Sequence, residues 1–582
     1  MMKNRLIILL VLAGLTAGCS STRTARQTLA MTGESPAQTA ARLKWWREAR
    51  FGMFIHWGPV ALKGTEIGWS RGKEVPEAEY DALYRAFNPT NFSADAWART
   101  ARDAGMKYLV LTAKHHDGFC LWDSRHTDYD IMASPFGRDV VRELAAACRR
   151  HGLKFCLYYS LCDWWHPDYP LGSPGGKSRK PSPNMARYTD YLKNQLAELL
   201  VNYGPLGILW FDGEWEEPWT SEAGFDLYQY LRHLQPDLII NNRVTKGRAG
   251  MAGGSPKGVF AGDYDTPEQQ VGKYQDGRPW ETCMTIARQW AWKPDDDMKS
   301  LSECLRTLVR CAGGDGNLLF NVGPMPDGQI EPRQVERLQE MGAWLRQFGD
   351  TVYRTRGGPY LPSRQLASTR RGASIYLHVF DWGDGVLRVP ALPKRIRRVT
   401  ALTGGRVEWQ ILDGLLTLSL PAEHRHPIDT ILKIELAGSA MDLAPFSVSS
   451  ASLVNGKPAT ASNVYRQSPA YGPTKAIDDD PHTRWATDQG ITQAWLEVDL
   501  GQETAFNRLF VDEAYPGRIR RFELQVWREG VWVAVFAGAA VGAEYQADFP
   551  ETTARKVRFH ILEAADGPTL NEFKLFRARP PK

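Results

Sequence analysis

Between about residue 40 and residue 350, short apolar β-like runs alternate with amphipathic helical stretches. That alternation confines the segment to a parallel α/β architecture. The runs are residues 51–55, 107–112, 153–159, 207–212, 238–241, 259–263, 282–286 and 317–322. The helices between them carry their own punctuation. Ser93 is an N-cap before 95–104 with Gly105 beyond, 139–151 closes at Gly152, 185–203 closes at Gly204, and Pro332 opens a helix through Phe348. Eight strands with intervening helices predict a (β/α)8-like TIM barrel over residues 39–352. A doubly wound open sheet would place a Gly-rich phosphate turn after the first strand, whereas 51–55 leads into His56-Trp57-Gly58.

After residue 355 the helical periodicity stops. Alternating segments at 373–380, 386–389, 397–402 and 431–436, divided by Gly, Pro and Asp turns, predict an antiparallel β-sandwich over 353–440. A linker at 438–450 follows, then a second all-β sandwich over 451–582. At the other end, Lys3 and Arg5 precede an apolar run from Leu6 to Ala17, too short to span a bilayer and suited to a signal peptide. Its end, Leu15-Thr16-Ala17-Gly18-Cys19, resembles a bacterial lipoprotein cleavage box, with Thr16 departing from the usual Leu. The expectation is a lipoprotein signal peptide over 1–19, lipidation at Cys19, and a tether over 20–38. The protein is then exported and lipid-anchored to the cell envelope, in the periplasm or at the outer membrane, with no other membrane contact. Lys and Arg (71) are interleaved with Asp and Glu (66), which argues against a nucleic-acid partner. The seven cysteines beyond Cys19 lack the spacing of a zinc site or a disulfide scaffold and read as small buried hydrophobes.

In a parallel barrel the chemistry sits at the C-terminal strand ends. Five ends are loaded with polar residues: His56-Trp57, Lys114-His115-His116-Asp117, Tyr158-Tyr159-Ser160, Trp210-Phe211-Asp212 and Asn241-Asn242-Arg243. Asp212 closes an uncharged run that begins at Pro205, and a desolvated carboxylate there is either salt-bridged or reactive. Alternation places Trp210 and Asp212 on one face. His115 and His116 are adjacent, without the i, i+4 spacing or third ligand of a metal pair, so no catalytic metal is expected. The 21 Trp and 21 Tyr are many, and flat aromatic faces with one polar edge suit sugar rings, although most of the Trp read as buried core residues. A glycosidase requires a second carboxyl group. Asp263, Asp265 and Glu268 in one loop, and Glu281 beyond it, are all available, and position alone does not choose between them.

The strings FGMFIHWG, YLVLTAKHHDGFCLWDS, FCLYYSLCDWWHP, GILWFDG, NNR and PWETC, in this order and spacing, resemble glycoside hydrolase family 29, the retaining α-L-fucosidases. The resemblance implies a barrel followed by a β-sandwich, and hydrolysis of terminal α-L-fucose from glycans through a covalent fucosyl-enzyme without a catalytic cofactor. It implies Asp212 as nucleophile. His56, Glu66 in GTEIGW, His115, His116, Trp210, Arg243 and one or both of Tyr158 and Tyr159 would bind the sugar. The DYDTPEQ string favours Glu268 as acid/base and an α-1,3 or α-1,4 linkage, with Glu281 the rival donor and Trp280 an aromatic wall that would raise the donor's pKa. Phe51, Phe54, Trp57 or Trp292 would shelter the fucose methyl group. GKPATASN, AIDDDPHTRWATD, AWLEVDLG and NEFKLF resemble discoidin-type (factor 5/8 type C) sandwiches and the carbohydrate-binding modules similar to them. That resemblance implies a structural calcium near Asp478, Asp480 and Glu572. Two other readings stand beside the leading one: an inactive barrel serving as a surface glycan-binding protein, and a barrel glycosidase for another sugar.

Overall fold

The computed structural model describes residues 33–577 except 257–259, 275–277, 384, 447, 449–451, 481–482 and 543–544. The chain divides after Arg356 into two compact units.

In the first unit seven parallel strands follow one another around a wall: β1 (Phe51–Ile55), β2 (Tyr108–Lys114), β3 (Lys154–Ser160), β4 (Ile208–Asp212), β5 (Ile239–Ile240), β6 (Glu281–Thr285) and β7 (Asn317–Val322). Their order is β5-β4-β3-β2-β1-β7-β6. Nearly every strand residue is buried, as expected when helices cover the outside and side chains fill the inside. The expected run at 259–263 does not form a strand, and Val259 lies outside the described residues. Single parallel bridges, Asn241 to Tyr264 and Asp265 to Trp280, occupy the gap between β5 and β6. Gly262, at φ 109°, brings the backbone so close to β5 that a Cβ would lie 2.6 Å from the Asn241 carbonyl oxygen. A regular strand with side chains cannot be built through that contact, so one stave of the barrel is irregular.

The helices begin where side chains can cap them. Ser93 Oγ accepts from Ala96 N–H before Ala94–Asp103, and Asp139 accepts from Arg142 N–H before Val140–Arg150. Helix Pro36–Ala49 opens on a reciprocal Ser35–Gln38 capping box. It therefore takes up residues 36–38, expected as tether, and it sends Trp46 into the core beside Phe54, Tyr158 and Trp210. All seven described cysteines are buried and unpaired.

In the second unit, one antiparallel sheet is centred on Ser374–Val379 and Thr430–Leu436, and another joins Val386–Pro390, Leu415–Ser419 and Glu408–Leu412. The expected linker at 438–450 is in part packed structure. Ala440 and Leu443 enter this sandwich's core, and Arg370 donates to both their carbonyls, at 3.0 and 2.6 Å. The C-terminal domain is a seven-stranded antiparallel sheet built on two long strands, Ala494–Glu513 and Tyr545–Ala564. Trp485 lies fully buried in its core, as expected.

Candidate active site

The C-terminal ends of the barrel strands enclose a pocket of about 230 Å³, smaller than the ~300–1,000 Å³ of drug-sized sites and suited to one small ring. Period-two alternation on β4 turns Trp210 and Asp212 into it. Asp212 Oδ1 accepts from Arg243 Nη1 at 2.7 Å, Oδ2 accepts from the Tyr158 hydroxyl at 3.1 Å, and His116 Nε2 lies 3.7 Å from Oδ2. Arg243 stands on the turn Asn242–Val244 immediately after β5. Its Nε donates to Thr266 Oγ1 at 3.0 Å, its Nη2 donates to Glu268 Oε2 at 2.7 Å, and its guanidinium rests 4.4 Å from the Trp210 ring centre. Arg243 thus holds the Asp212 and Glu268 side chains on its two terminal nitrogens, which brings both to one wall of the pocket. Burial pushes the Asp212 carboxyl up, but Arg243 and then His116 outweigh it and hold the group below its ordinary 3.8.

Opposite these groups, His56 Nδ1 lies 2.6 Å from Asn321 Oδ1, while Asn321 Nδ2 donates to the Trp290 carbonyl at 2.7 Å. The amide oxygen therefore faces the imidazole, Nδ1 carries the proton, and Nε2 is left as an acceptor. Burial drives His56 down to about 3, so the ring is neutral. His115 lines the pocket with its ring parallel to Tyr158, centres 5.2 Å apart. His116 turns the other way, its Nδ1 2.7 Å from Ser160 Oγ, and burial lowers it to about 4. Behind this turn Lys114 and Asp163 form a fully buried ion pair at 2.9 Å.

Besides His116, which stands beside Asp212 without lining the pocket, four expected residues are placed differently. Tyr159 points out of the barrel, donating to Gln195 Oε1 at 2.7 Å under the Lys114 ammonium, because it is one residue out of phase with Tyr158. Trp280 likewise faces outward, its indole wedged against Gly272, Gly314 and Gly316 and its Nε1 donating to Gly314 O, so it forms no wall of the pocket. Glu281 faces inward but one layer too deep. It accepts from Trp46 Nε1 (2.9 Å), Tyr108 OH (2.5 Å), Tyr264 OH (3.2 Å) and Trp210 Nε1 (3.3 Å), a set of donors that leaves no path to a substrate. Glu66 accepts from the backbone N–H groups of Ile67, Trp290 and Ala291 at 2.9–3.1 Å and so anchors the loop that brings Trp290 to the pocket. Burial raises Glu66 to about 7 despite these bonds. Of the four aromatic residues expected near the methyl group, Phe54 lines the pocket, and Trp57 packs with Phe87, Phe92 and Trp97.

Pocket residues not expected from the sequence are Trp69, Trp215, Arg248, Met251, Cys283 and Trp290. Only Cys283 had a usable signal, its period-two offset from Glu281; the others stand on long loops with no periodicity. Just beyond β4, Glu214 is buried and accepts from Arg248 Nε at 2.8 Å.

Among the described residues no three His, Cys, Asp or Glu side chains converge as a metal set. In the C-terminal domain Asp478 accepts from Thr483 Oγ1 (2.7 Å) and Asp480 N–H (3.2 Å), which is a turn-forming role. Glu572 differs: it is 1% exposed, neither carboxylate oxygen has a hydrogen-bond partner, Oε2 lies 3.8 Å from the Lys574 ammonium, and burial pushes the group up to about 8. Two buried oxygens without a hydrogen bond, facing a single ammonium, are of the type that suits a hard cation.

The α-L-fucosidase family model matches residues 18–350, and the F5/8 type C domain model matches 458–573. An α-L-fucosidase of Branchiostoma floridae is 30% identical over 422 residues, 65% of this chain and 88% of the relative. Human tissue α-L-fucosidase is 29% identical over 449 residues, 72% and 92% of the two chains. Among solved structures, α-L-fucosidase isoenzyme 1 from Paenibacillus thiaminolyticus superposes with TM-score 0.62 at 35% identity, over 68% of this chain and 99% of its own. A trapped covalent intermediate of a Bacteroides thetaiotaomicron α-L-fucosidase with 2-fluoro-fucosyl fluoride gives TM-score 0.61 at 27% identity, over 70% and 97%. With its barrel matched along its length and its strand ends converging on one small pocket that holds two carboxylates, the chain belongs to the α-L-fucosidase family, glycoside hydrolase family 29, and carries an F5/8 type C domain at its C-terminal end.

Proposed function

We propose that this protein is a retaining exo-α-L-fucosidase that works by double displacement. The observation that carries the reading is Arg243, bonded at once to Asp212 and Glu268 at the wall of a pocket sized for one sugar. Asp212, ionised by Arg243, attacks the anomeric carbon as Glu268, in its protonated carboxylic acid form, gives its proton to the departing glycosidic oxygen, leaving a fucosyl ester on Asp212, a Glu268 carboxylate and a free leaving group. Glu268, now a carboxylate, takes a proton from water, whose oxygen replaces Asp212 and releases fucose with retained configuration. His56 Nε2 accepts from a sugar hydroxyl, His115 and Trp210 line the ring, and Phe54 with Trp290 forms the apolar corner for the methyl group. The trapped intermediate of the Bacteroides relative supports this course. Labelling with a 2-fluoro-fucosyl fluoride followed by peptide mapping tests it: the label belongs on Asp212, and a label on any other side chain overturns the mechanism. Azide rescue of Glu268→Ala, giving a fucosyl azide of retained configuration, tests the acid/base.

The DYDTPEQ string supports α-1,3- or α-1,4-linked fucose as substrate, which a panel of fucosylated oligosaccharides of differing linkage examines. The N-terminal reading supports an envelope lipoprotein anchored through Cys19, which lies outside the described residues. Among the described residues no helix is long and apolar enough to cross a membrane. Release of Cys19→Ala from the membrane fraction tests the anchor. For the C-terminal domain, the buried Glu572 carboxylate, which has no hydrogen-bond partner, supports a structural calcium near Asp478, Asp480 and Glu572.

A further inference from the structure

The pocket is graded from floor to mouth. Phe54, His56 and His115 are buried at the floor, whereas Trp215 is 42% and Met251 49% exposed. An exo-acting enzyme places the cleaved sugar at the closed end and the leaving group at the open one. Glu268, which meets the leaving oxygen, is tied to that open end, because its N–H donates to the Met251 carbonyl at 2.9 Å.

The mouth is built rather than loose. The Trp215 indole is held parallel to Trp69, ring centres 6.2 Å apart at 15°, with the His116 ring edge-on at 5.5 Å. Arg248 is fixed by the buried Glu214 on Nε and by the Gly250 carbonyl on Nη1, which leaves Nη2 as the nitrogen able to donate into the pocket it lines. A half-exposed indole thus stands beside a clamped donor at the mouth. The pair matches the two faces of a pyranose: apolar C–H groups on one side and oxygen acceptors around the rim.

Resting on the fucosidase reading, we infer that Trp215, Met251 and Arg248 form the seat of the leaving group, a second pyranose that stacks on Trp215 and accepts a hydrogen bond from Arg248. Because Met251 also holds the Glu268 backbone, filling this seat sets the acid against the glycosidic oxygen. The seat, and not the fucose pocket, then discriminates among natural glycans.

Two substrates separate the roles in the full-length protein. α-L-Fucosyl fluoride has a one-atom leaving group that needs neither protonation nor a seat; fucose linked to N-acetylglucosamine needs both. In Trp215→Ala, the ratio of kcat/KM for the disaccharide to that for the fluoride should fall by about ten-fold, the size of one lost aromatic contact. Arg248→Lys keeps the charge on Glu214 and removes the second nitrogen, so its ratio should fall too. Melting temperatures within a few degrees of wild type exclude misfolding as the cause. A ratio that changes less than about two-fold in both variants, whether both activities hold or both collapse together, overturns the inference. Wild-type protein that turns over neither substrate sinks the fucosidase reading instead.

Discussion

Arg243→Met removes the one guanidinium that faces both pocket carboxylates. In the wild type burial pulls Asp212 up, while Arg243 and His116 bring it below 3.8. Asp212 therefore contributes stability that is complete above its unfolded value and is lost as pH falls through the lower folded one. Deleting one partner of a buried ion pair leaves an uncompensated charge and costs ~3–5 kcal/mol. That loss falls on the ionised form of Asp212, so its titration rises, although the Tyr158 hydroxyl at 3.1 Å and His116 at 3.7 Å remain to recover part of it. Only the ionised carboxylate attacks, so the acidic limb of kcat/KM should move to higher pH. α-L-Fucosyl fluoride is the right substrate, since its departure requires no acid and the limb then reports Asp212 alone. Arg243→Lys, retaining the charge, should restore most of the wild-type profile. An acidic limb that stays put in a folded Arg243→Met protein refutes the claim that this guanidinium sets the ionisation of the nucleophile.

Three further outcomes follow from the same geometry. Tyr158→Phe loses a hydrogen bond to a charged acceptor, worth ~1.5–3 kcal/mol, and should lower kcat/KM by ~10–100-fold, whereas Tyr159→Phe should lower the melting temperature and leave kcat/KM within about two-fold. Asn321→Asp sets a carboxylate against His56 Nδ1 and raises the imidazole from about 3 toward neutrality. The cation's Nε2 donates where it should accept, so kcat/KM should acquire a new fall on the acidic side, and a profile parallel to wild type would show that the tautomer is immaterial. Calcium added to chelator-treated protein should raise the melting temperature of the C-terminal domain, and Glu572→Gln should abolish the increment.

The chain's linear pattern determined a good deal. Period-two alternation in β4 already put Trp210 and Asp212 on one face, and the alternation of apolar runs with capped helices already favoured a barrel, with its polar strand ends at one mouth, over a doubly wound sheet. Local rules suffice there because strand and helix periodicities are local properties of the backbone. The choice between Glu268 and Glu281 was of another kind. Both lie on the inner side near β6, and what separates them is depth: Glu281 falls one layer below the pocket, among Trp46, Tyr108, Tyr264 and Trp210, contributed by segments up to 235 residues away. The same holds for the broken stave at Gly262, for Glu66 turned to a loop backbone, and for Trp215, Arg248 and Met251 at the mouth. Long loops carry no period to read, and their positions are fixed by closure of the barrel and by partners distant in the chain, so only the folded molecule decides where those side chains meet.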